Sequence, residues 1–535
     1  MIRLTELSLP LDADPASLRT AVLKKLRIAD ADLLNLTVFK RSYDARKKSS
    51  AILFVYIVDV EVRNEAEVLA RCASDHNVRP APDTRYHPVA QAPANSDERP
   101  LVVGFGPCGL FAALLLAQMG FKPIVLERGR DVRHRTADTW KLWRKKILTP
   151  ESNVQFGEGG AGLFSDGKLY SQIKDPRFYG RKVMQEFVRA GAPPEILYVS
   201  KPHIGTFRLT GVVAAMREEI ISLGGEVRFE SKVTDLLIED GQIKGARLED
   251  GTELLSRHVV LALGHSSRDT FRMLHRRGVF IEPKPFSIGF RIEHPQSMID
   301  RARLGKYAGH SELGAADYKL VHHAGNGRGV YSFCMCPGGT VVAATSEPQR
   351  VVTNGMSQYS RNERNANAGI VVGITPEQDF PGSPLAGIEL QEKLESRAFE
   401  LGGRDYCAPG QLVGDFIRGT PSREWGDVEP SYEPGVLLGD LSEALPEYAI
   451  AAIREALPAF GHQIRGFDRD DAVLTGIETR TSSPIRITRD AQTLQSLNVR
   501  GLYPAGEGAG YAGGILSAGV DGIKVAEAVA LALTQ

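Results

Sequence analysis

Cysteine is scarce in this sequence, and the few positions it occupies exclude several kinds of site. The 535 residues include five cysteines, an odd number that does not suit a disulfide framework. Cys334 and Cys336 are the only close pair, and their one-residue spacing matches neither the redox nor the zinc patterns, which use C-x-x-C. We therefore expect both to be buried strand residues. His203, His265 and His294 lack metal-ligand spacing, so no metal site is predicted.

The sequence also lacks an excess of charge of either sign. Its 65 Lys and Arg residues balance its 65 Asp and Glu residues, which gives no electrostatic reason to expect a nucleic acid or a membrane as a partner. The N-terminus has no apolar core long enough for a signal peptide. Residues 101–121 are uncharged and long enough to span a bilayer, but their clustered glycines indicate a strand, a tight turn and a helix. We expect a cytoplasmic protein.

Residues 1–88 have the pattern of a small separate module. Strand alternation and helical spacing follow one another in a β-α-β-β-α order, which predicts a ferredoxin-like α+β sandwich. The segment Lys40–Lys48, between the two long strands, is strongly basic. It is either a solvated hairpin or a docking surface for an acidic protein partner. Residues 89–99 are rich in proline and small polar residues, which predicts a linker.

A glycine-rich turn between a strand and a helix carries the main functional signal. Gly104, Gly106 and Gly109 form a G-x-G-x-x-G motif after the apolar strand Leu-Val-Val, and the following strand ends in Glu127. In a dinucleotide-binding unit these glycines allow the turn, the approach of the pyrophosphate and close helix packing, while the terminal acid accepts hydrogen bonds from the adenosine ribose. The cofactor-binding residues predicted here are Gly104, Gly106, Pro107, Cys108, Gly109, Glu127 and Arg128.

Two distant segments decide between the possible dinucleotides. Residues 257–264 form a strand that ends in Gly264 and is expected to run beside the first strand of the nucleotide-binding unit. Residues 498–507 form another strand, which ends in Gly506-Glu507 and leads through a glycine-rich turn into a C-terminal helix. A short NAD dehydrogenase has no need of this distal element.

The C-terminal motif resembles the glutathione-reductase-like superfamily of FAD oxidoreductases, in which a near-terminal strand ends in Gly-Asp or Gly-Glu. The resemblance implies that Glu507 contacts the ribityl chain and that the following helix directs its N-terminus at the flavin pyrimidine. The positive end of a helix dipole at that point stabilises the negative charge of the reduced flavin. The sequence departs from the superfamily at Pro107-Cys108, where a small residue is usual, and we expect Cys108 to pack at the helix start.

Three further segments, at residues 153–169, 475–486 and 501–522, are similar to one subgroup, the uncharacterised FAD-dependent dehydrogenase family of bacteria and plastids. That resemblance spans nearly the whole chain and implies FAD and an oxidoreductase activity, but no substrate. It places Lys168, with Asp166, in a loop that orients the isoalloxazine ring. The other predicted cofactor-binding residues are Gly159, Gly160, Gly162, Lys168, Val233, Gly264, Gly506, Glu507, Gly513, Gly514 and Ile515.

Glu478 and Arg480 are the candidates for catalysis. They lie in a segment that is expected to return to the flavin before the last strand, where Arg480 could hold a carboxylate or phosphate through two hydrogen bonds. Alternatively, the two residues form a structural ion pair with each other. Residues 352–367, with many amides and few apolar side chains, are expected to be a solvated loop or else to line the substrate pocket.

The sequence thus predicts an α/β protein with an FAD-binding Rossmann-like domain, residues 100–284 and 471–535, and an inserted mixed α+β substrate domain, residues 285–470. The function predicted is an oxidoreductase that transfers hydride between flavin N5 and an unidentified small molecule. Two alternatives stay open: a flavoprotein recruited to RNA or a protein through its N-terminal module, and an FAD-binding sensor. The other G-x-G-x-x-G matches, at residues 157–162 and 508–513, are not followed by a helix, a strand and an acid, so no second domain for NAD(P)H is predicted.

Overall fold

The N-terminal module is a four-stranded antiparallel sheet with two helices, in a computed structural model that describes residues 1–46, 51–94 and 97–535. Its elements are β1 (Ile2–Pro10), α1 (Ala16–Leu26), β2 (Leu33–Asp44), β3 (Leu53–Val62), α2 (Glu65–Arg71) and β4 (Val78–Pro80). The strand order is β2-β3-β1-β4, and apolar side chains of both helices pack against the sheet. This β-α-β-β-α-β arrangement is the ferredoxin-like sandwich, which confirms the predicted fold of the module.

Part of the basic segment Lys40–Lys48 is used in contacts within the chain. The guanidinium of Arg41 donates a hydrogen bond to Glu312, 3.1 Å away. Lys47 and Lys48 lie outside the described residues. Whether the segment docks an acidic partner therefore stays a prediction.

A second region follows, in which short strands alternate with helices. Its elements are β5 (Leu101–Val103), α3 (Pro107–Gln118), β6 (Ile124–Leu126), α4 (Val132–Lys145), α5 (Tyr179–Arg189), α6 (Thr206–Ser222), β7 (Glu226–Arg228), β8 (Val233–Glu239), β9 (Gln242–Leu248), β10 (Glu253–Leu255), β11 (Val259–Leu261), α7 (Arg268–Arg276) and β12 (Ile281–Pro283).

The central region contains longer strands. Its elements are β13 (Phe286–Pro295), α8 (Gln296–Leu304), β14 (Val321–His323), β15 (Gly329–Cys336), β16 (Gly339–Ala343), β17 (Thr353–Ser357), β18 (Asn365–Ile374), α9 (Pro376–Asp379), α10 (Ala386–Leu401), β19 (Ala408–Leu412), α11 (Val413–Arg418), β20 (Val436–Leu438), α12 (Glu447–Gln463) and β21 (Val473–Glu478). The chain ends with β22 (Ile485–Ile487), β23 (Leu502–Pro504) and α13 (Ile515–Thr534).

A five-stranded parallel sheet of order β23-β11-β5-β6-β7 forms the nucleotide-binding domain. Its strands are short and fully apolar at the centre, as expected for a sheet covered on both faces. The last strand, β23, pairs with β11, so the C-terminal segment completes a sheet that begins four hundred residues earlier in the chain. This arrangement confirms the predicted α/β Rossmann-like class.

The central region is built on a seven-stranded sheet of order β14-β15-β18-β13-β21-β19-β20. Its strand pairs are antiparallel except β19 with β20. Nine of the ten residues of β13 and of β18 are buried, because these neighbouring strands lie at the centre of the sheet. In the described parts of the chain, the nucleotide-binding sheet is the only sheet of more than two strands that is parallel throughout.

Residues 352–367 form the loop that the sequence predicts only at residues 358–364, and Asn354 lines a cavity, as the alternative interpretation expected. The segment also contains β17, which pairs with β16, and the start of β18. Asn367 is buried and Asn354 is half-buried, and both accept hydrogen bonds from the guanidinium of Arg291. A polar strand is stable here because a buried cation lies beside it.

The uncharged stretch at residues 101–121 forms β5 and α3, as predicted, with a tight turn between them. Within the described residues, no helix is both long and apolar enough to cross a membrane.

Candidate functional site

A cavity of about 410 Å³ lies where the carboxyl ends of β5, β6, β11 and β23 meet the central sheet. Ligands of open parallel sheets bind at this edge, since the strand ends and the following turns converge there. The loop at residues 155–170 and the start of α13 complete its walls.

Most of the predicted cofactor-binding residues line this cavity. Those that do are Gly104, Gly106, Pro107, Cys108, Glu127, Arg128, Gly160, Gly162, Lys168, Val233, Gly264, Gly506, Glu507, Gly513, Gly514 and Ile515, and Arg480 joins them. Three predicted site residues, Gly109, Gly159 and Glu478, do not line the cavity. A side chain at Gly109 would collide with the carbonyl oxygen of Gly104, and the N–H of Gly159 donates to the carbonyl of Phe105 at 2.9 Å. Both glycines therefore support the turn rather than contact a ligand.

The glycines leave room for an elongated ligand. Gly104 has a φ of +98°, which the turn after β5 requires and which a side chain would oppose. At Gly264, Gly513 and Gly514 no atom lies within 4 Å of the position that a Cβ would occupy. These three positions are exposed to the cavity, so side chains there would fill it. The N-termini of α3 and α13 also open into the cavity and suit phosphate and other anionic groups.

Glu127 is held in place by backbone groups. One carboxylate oxygen accepts hydrogen bonds from the N–H groups of Gly129 and Gly157, at 2.8 and 2.9 Å, and the other accepts from Phe105 at 2.8 Å. Each carboxylate oxygen can accept about two hydrogen bonds, so the second oxygen keeps one position for a ribose hydroxyl. The same carboxylate joins the glycine-rich turn to the loop at residues 155–170.

Glu507 lies on the cavity wall and is half-buried. Burial raises the pKa of this carboxyl to about 7, although the charge of Lys284 and a hydrogen bond from the N–H of Gly514 oppose the increase. Burial likewise lowers the pKa of the Lys284 ammonium. The cavity thus contains a carboxyl group that gains or loses its proton near neutral pH.

Glu478 and Arg480 do not form an ion pair with each other, so that interpretation of the sequence is wrong. The carboxylate of Glu478 accepts from Arg291 Nε at 2.7 Å and Nη2 at 3.1 Å. Arg480 instead donates to the carboxylate of Glu395 and to the hydroxyl of Ser346. The two residues separate because β21 ends at Glu478 and the chain leaves the sheet before Arg480.

Comparison with known proteins supports the assignment of this cavity to a nucleotide cofactor. Residues 285–481 match the family model described as "FAD-dependent protein, C-terminal domain-like", and residues 1–61 match a domain family of unknown function. A protein from Clostridium beijerinckii, itself described as uncharacterised, is 50% identical over 528 residues, which cover 98% of both chains. The chain belongs to this family of FAD-dependent, oxidoreductase-like proteins. FAD is its cofactor.

Two solved structures show a remote likeness. CtdE in complex with FAD is 14% identical with a TM-score of 0.31, over 82% of this chain and 85% of that one. Fructosyl amine:oxygen oxidoreductase (Amadoriase I) from Aspergillus fumigatus is 12% identical with a TM-score of 0.36, over 82% and 88%. TM-scores this low do not define a common fold.

Lys168 joins the flavin-facing loop to the central sheet. Its ammonium donates to the carbonyl of Met335 and lies 3.9 Å from the carboxylate of Asp166. Burial lowers the pKa of Lys168, but Cys336, Cys334 and Asp166 raise it more, to about 12. Lys168 is therefore a fixed positive charge on the FAD cavity wall, which suits the predicted role in orienting the flavin.

The FAD cavity has wall residues that the sequence did not predict, among them Phe333 and Cys334 of the central sheet. The pairing of β15 with β18 shifts in register between Phe333 and Cys336, and Cys334 has a φ of +42°. This β-bulge bends the strand and changes the direction in which its side chains point. Cys336 is buried as predicted, whereas Cys334 is partly exposed to the cavity. No local signal in the sequence marks a bulge in an otherwise apolar strand.

Proposed function

We propose that the chain is a dehydrogenase or reductase that exchanges a hydride between flavin N5 and a small molecule. A second cavity, which meets the FAD cavity at Phe333 and Thr481, is the observation that supports this proposal. A substrate in the second cavity would therefore share Phe333 and Thr481 as neighbours with FAD. When bound, FAD supplies the hydride acceptor or donor.

The second cavity suits a small molecule with an apolar body and one polar end. Phe286, Tyr331, Phe333 and Ile374 supply aromatic and aliphatic surface, and hydroxyl groups lie among them. Small-molecule sites commonly combine such an apolar lining with a few fixed polar groups.

A pair of hydroxyl groups can hold a proton in this cavity. The hydroxyls of Ser287 and Tyr331 are 2.5 Å apart. Thr481 fixes Ser287, since its hydroxyl accepts from the Ser287 N–H at 3.1 Å and donates to the Ser287 carbonyl at 2.9 Å. We infer that Tyr331 and Ser287 bind the substrate atom that gains or loses a proton.

The two residues predicted to be catalytic are better explained by positioning roles. Glu478 fixes Arg291, which in turn donates to the carbonyl of Cys334 on the FAD cavity wall at 2.8 Å. Arg480 lines that cavity, but its guanidinium is already bonded to Glu395. We therefore propose that they shape the wall of the FAD cavity rather than react with substrate.

An anaerobic screen of metabolite extracts for bleaching of bound FAD tests the proposed function. We expect one component to bleach the flavin. Tyr331→Phe should slow that bleaching without changing the affinity for FAD, whereas Tyr307→Phe, outside both cavities, serves as the matched control. If no extract bleaches FAD, the proposed enzymatic function is wrong and the chain is better explained as an FAD-binding sensor.

Reduced nicotinamides provide a second test of the same proposal. NADH and NADPH should reduce FAD slowly and with weak saturation, because the central sheet is antiparallel in all but one strand pair and is not a second Rossmann unit. Rapid stopped-flow reduction with tight saturation by either nucleotide would contradict this expectation.

A further inference from the structure

Two thiols lie at the boundary between the FAD cavity and the central sheet. Cys334 and Cys336 form the end of β15, and Cys334 lines the cavity beside Phe333 and Lys168. Cys336 lies directly behind it, buried. The hydride exchange proposed above uses neither thiol.

The two cysteines are close to each other in the folded chain. The thiol of Cys336 donates a hydrogen bond to the backbone carbonyl oxygen of Cys334 at 3.4 Å. Residues two apart in a chain have Cα atoms at most about 7 Å apart, and a bulge shortens that distance. Disulfides join Cα atoms about 4.4–6.8 Å apart, so the backbone permits a bond between them.

A glycine on the neighbouring strand makes space for the buried sulfur. A Cβ at Gly355 would lie 2.8 Å from Cys336 Sγ and 2.6 Å from Arg291 Nη1. Any side chain at this position of β17 would displace the thiol or the cation. The glycine therefore allows Cys336 and Arg291 to pack against the same backbone.

The surroundings favour one thiolate and one thiol. The hydrogen bond from Cys336 lowers the pKa of Cys334; burial opposes this, and the charges of Lys168 and Arg291 lower the pKa further. The pKa of Cys336 is raised by its hydrogen bond to Cys334 and by burial. Thiolates are the reactive form of cysteine, so Cys334 is the group prepared to react at the cavity wall.

We propose that Cys334 and Cys336 are a second redox centre, a dithiol that exchanges two electrons with the FAD of this cavity. In one direction the Cys334 thiolate and the Cys336 thiol form one S–S bond and release two electrons and one proton, all of which FAD takes up to become its reduced anion. In the other direction the S–S bond breaks, Cys334 regains its thiolate and Cys336 its proton. The inference rests on FAD in the cavity and not on any small-molecule substrate.

Electron counting on the FAD-loaded protein tests the proposal without a substrate. The holoprotein is oxidised with ferricyanide, freed of excess reagent and titrated anaerobically with dithionite until the flavin is fully reduced. We expect wild type to take up twice as many electrons as its FAD content accounts for. Cys334→Ser and Cys336→Ser should take up only the electrons of FAD, and Cys407→Ser, a thiol outside the cavity, should match wild type. Uptake by wild type of only the FAD electrons would overturn the proposal.

Two further measurements distinguish a redox dithiol from a structural pair. In wild type with the dithiol reduced and FAD oxidised, a long-wavelength charge-transfer absorbance should appear; Cys334→Ser should lose it and Cys336→Ser should keep it. In the ferricyanide-oxidised protein, denatured and alkylated without reductant, mass spectrometry should find the peptide that carries both cysteines unalkylated. Alkylation of both thiols after oxidation would exclude the disulfide, whatever the outcome of the metabolite screen.

Discussion

The guanidinium of Arg480 and the carboxylate of Glu395 form a buried ion pair, with Nη2 2.9 Å from Oε2 and Nε 3.1 Å from Oε1. Arg268 donates to the same two oxygens at 2.9 and 2.6 Å. Although burial raises the pKa of Glu395, the two guanidinium groups lower it well below its usual range. Two cations therefore share one carboxylate beneath the wall of the FAD cavity, and Arg480 is engaged before any ligand enters.

Replacing Arg480 with Ala should lower the free energy of unfolding by roughly 3 kcal/mol, the low end for a broken buried ion pair, because Arg268 still neutralises Glu395. Urea unfolding followed by circular dichroism measures the change. Arg423→Ala removes an exposed arginine and should change stability by no more than about 0.5 kcal/mol. Unchanged stability in Arg480→Ala, together with weaker binding of an anionic ligand, would show instead that Arg480 binds the ligand directly.

Replacing Glu127 with Ala should lower the affinity for FAD about ten- to a hundred-fold. The substitution removes the acceptor of three backbone N–H groups, so the glycine-rich turn and the loop at residues 155–170 lose their common support. Fluorescence titration of the apoprotein with FAD measures the affinity, and Glu127→Gln should be intermediate. Glu98→Gln, which breaks an ion pair with the exposed Arg257, is the control. An unchanged affinity in Glu127→Ala would remove this residue from the FAD site.

Gly513→Ala should weaken FAD binding while leaving the fold of the apoprotein intact. A Cβ at this position meets no protein atom within 4 Å, so it would occupy space that the ligand needs. Overpacking of this kind costs about 1–3 kcal/mol, which corresponds to roughly a five- to hundred-fold loss of affinity. Gly439→Ala adds the same atom at an open position outside the cavity. Equal FAD affinities for the two variants would argue against FAD beside the start of α13.

Glu507 should make the stability of the apoprotein depend on pH. Its folded-state pKa is raised from 4.5 to about 7 by burial, so the folded state favours the protonated carboxyl. The resulting stabilisation is complete below about pH 4.5 and is lost as the pH rises through about 7. Between about pH 5 and about pH 8, wild type should lose roughly 2–3 kcal/mol of unfolding free energy relative to Glu507→Gln.

Urea unfolding of both proteins at the two pH values measures this difference. Glu424→Gln replaces an exposed glutamate and should retain the wild-type pH dependence. If wild type and Glu507→Gln change in parallel, the Glu507 carboxyl is ionised throughout and its burial does not control its charge.

The elements that the sequence predicted well are those whose pattern is local. The alternation of residues 1–88 predicted the ferredoxin-like module, and the motif from Gly104 to Glu127 predicted a strand, a turn, a helix and a second strand. In β17 the local pattern failed, because the side chain of the half-buried strand residue Asn354 is bonded to Arg291, 63 residues away in the chain. A window of neighbouring residues contains no information on such a partner.

The sequence by itself determined the α/β class and the position of the glycine-rich turn, because hydrophobic periodicity and turn chemistry act over a few residues. The resemblance of its C-terminal segment to a family of FAD oxidoreductases implied the choice of FAD. Only the tertiary structure decided the ionic partners of Glu478 and Arg480, which lie 187 and 85 residues away along the chain. It also decided that Cys334 faces the cavity while Cys336 is buried, since a bulge and the packing of Lys168 turn β15 at that point. Contacts between distant segments set the direction of a side chain, and the order of residues along one strand does not.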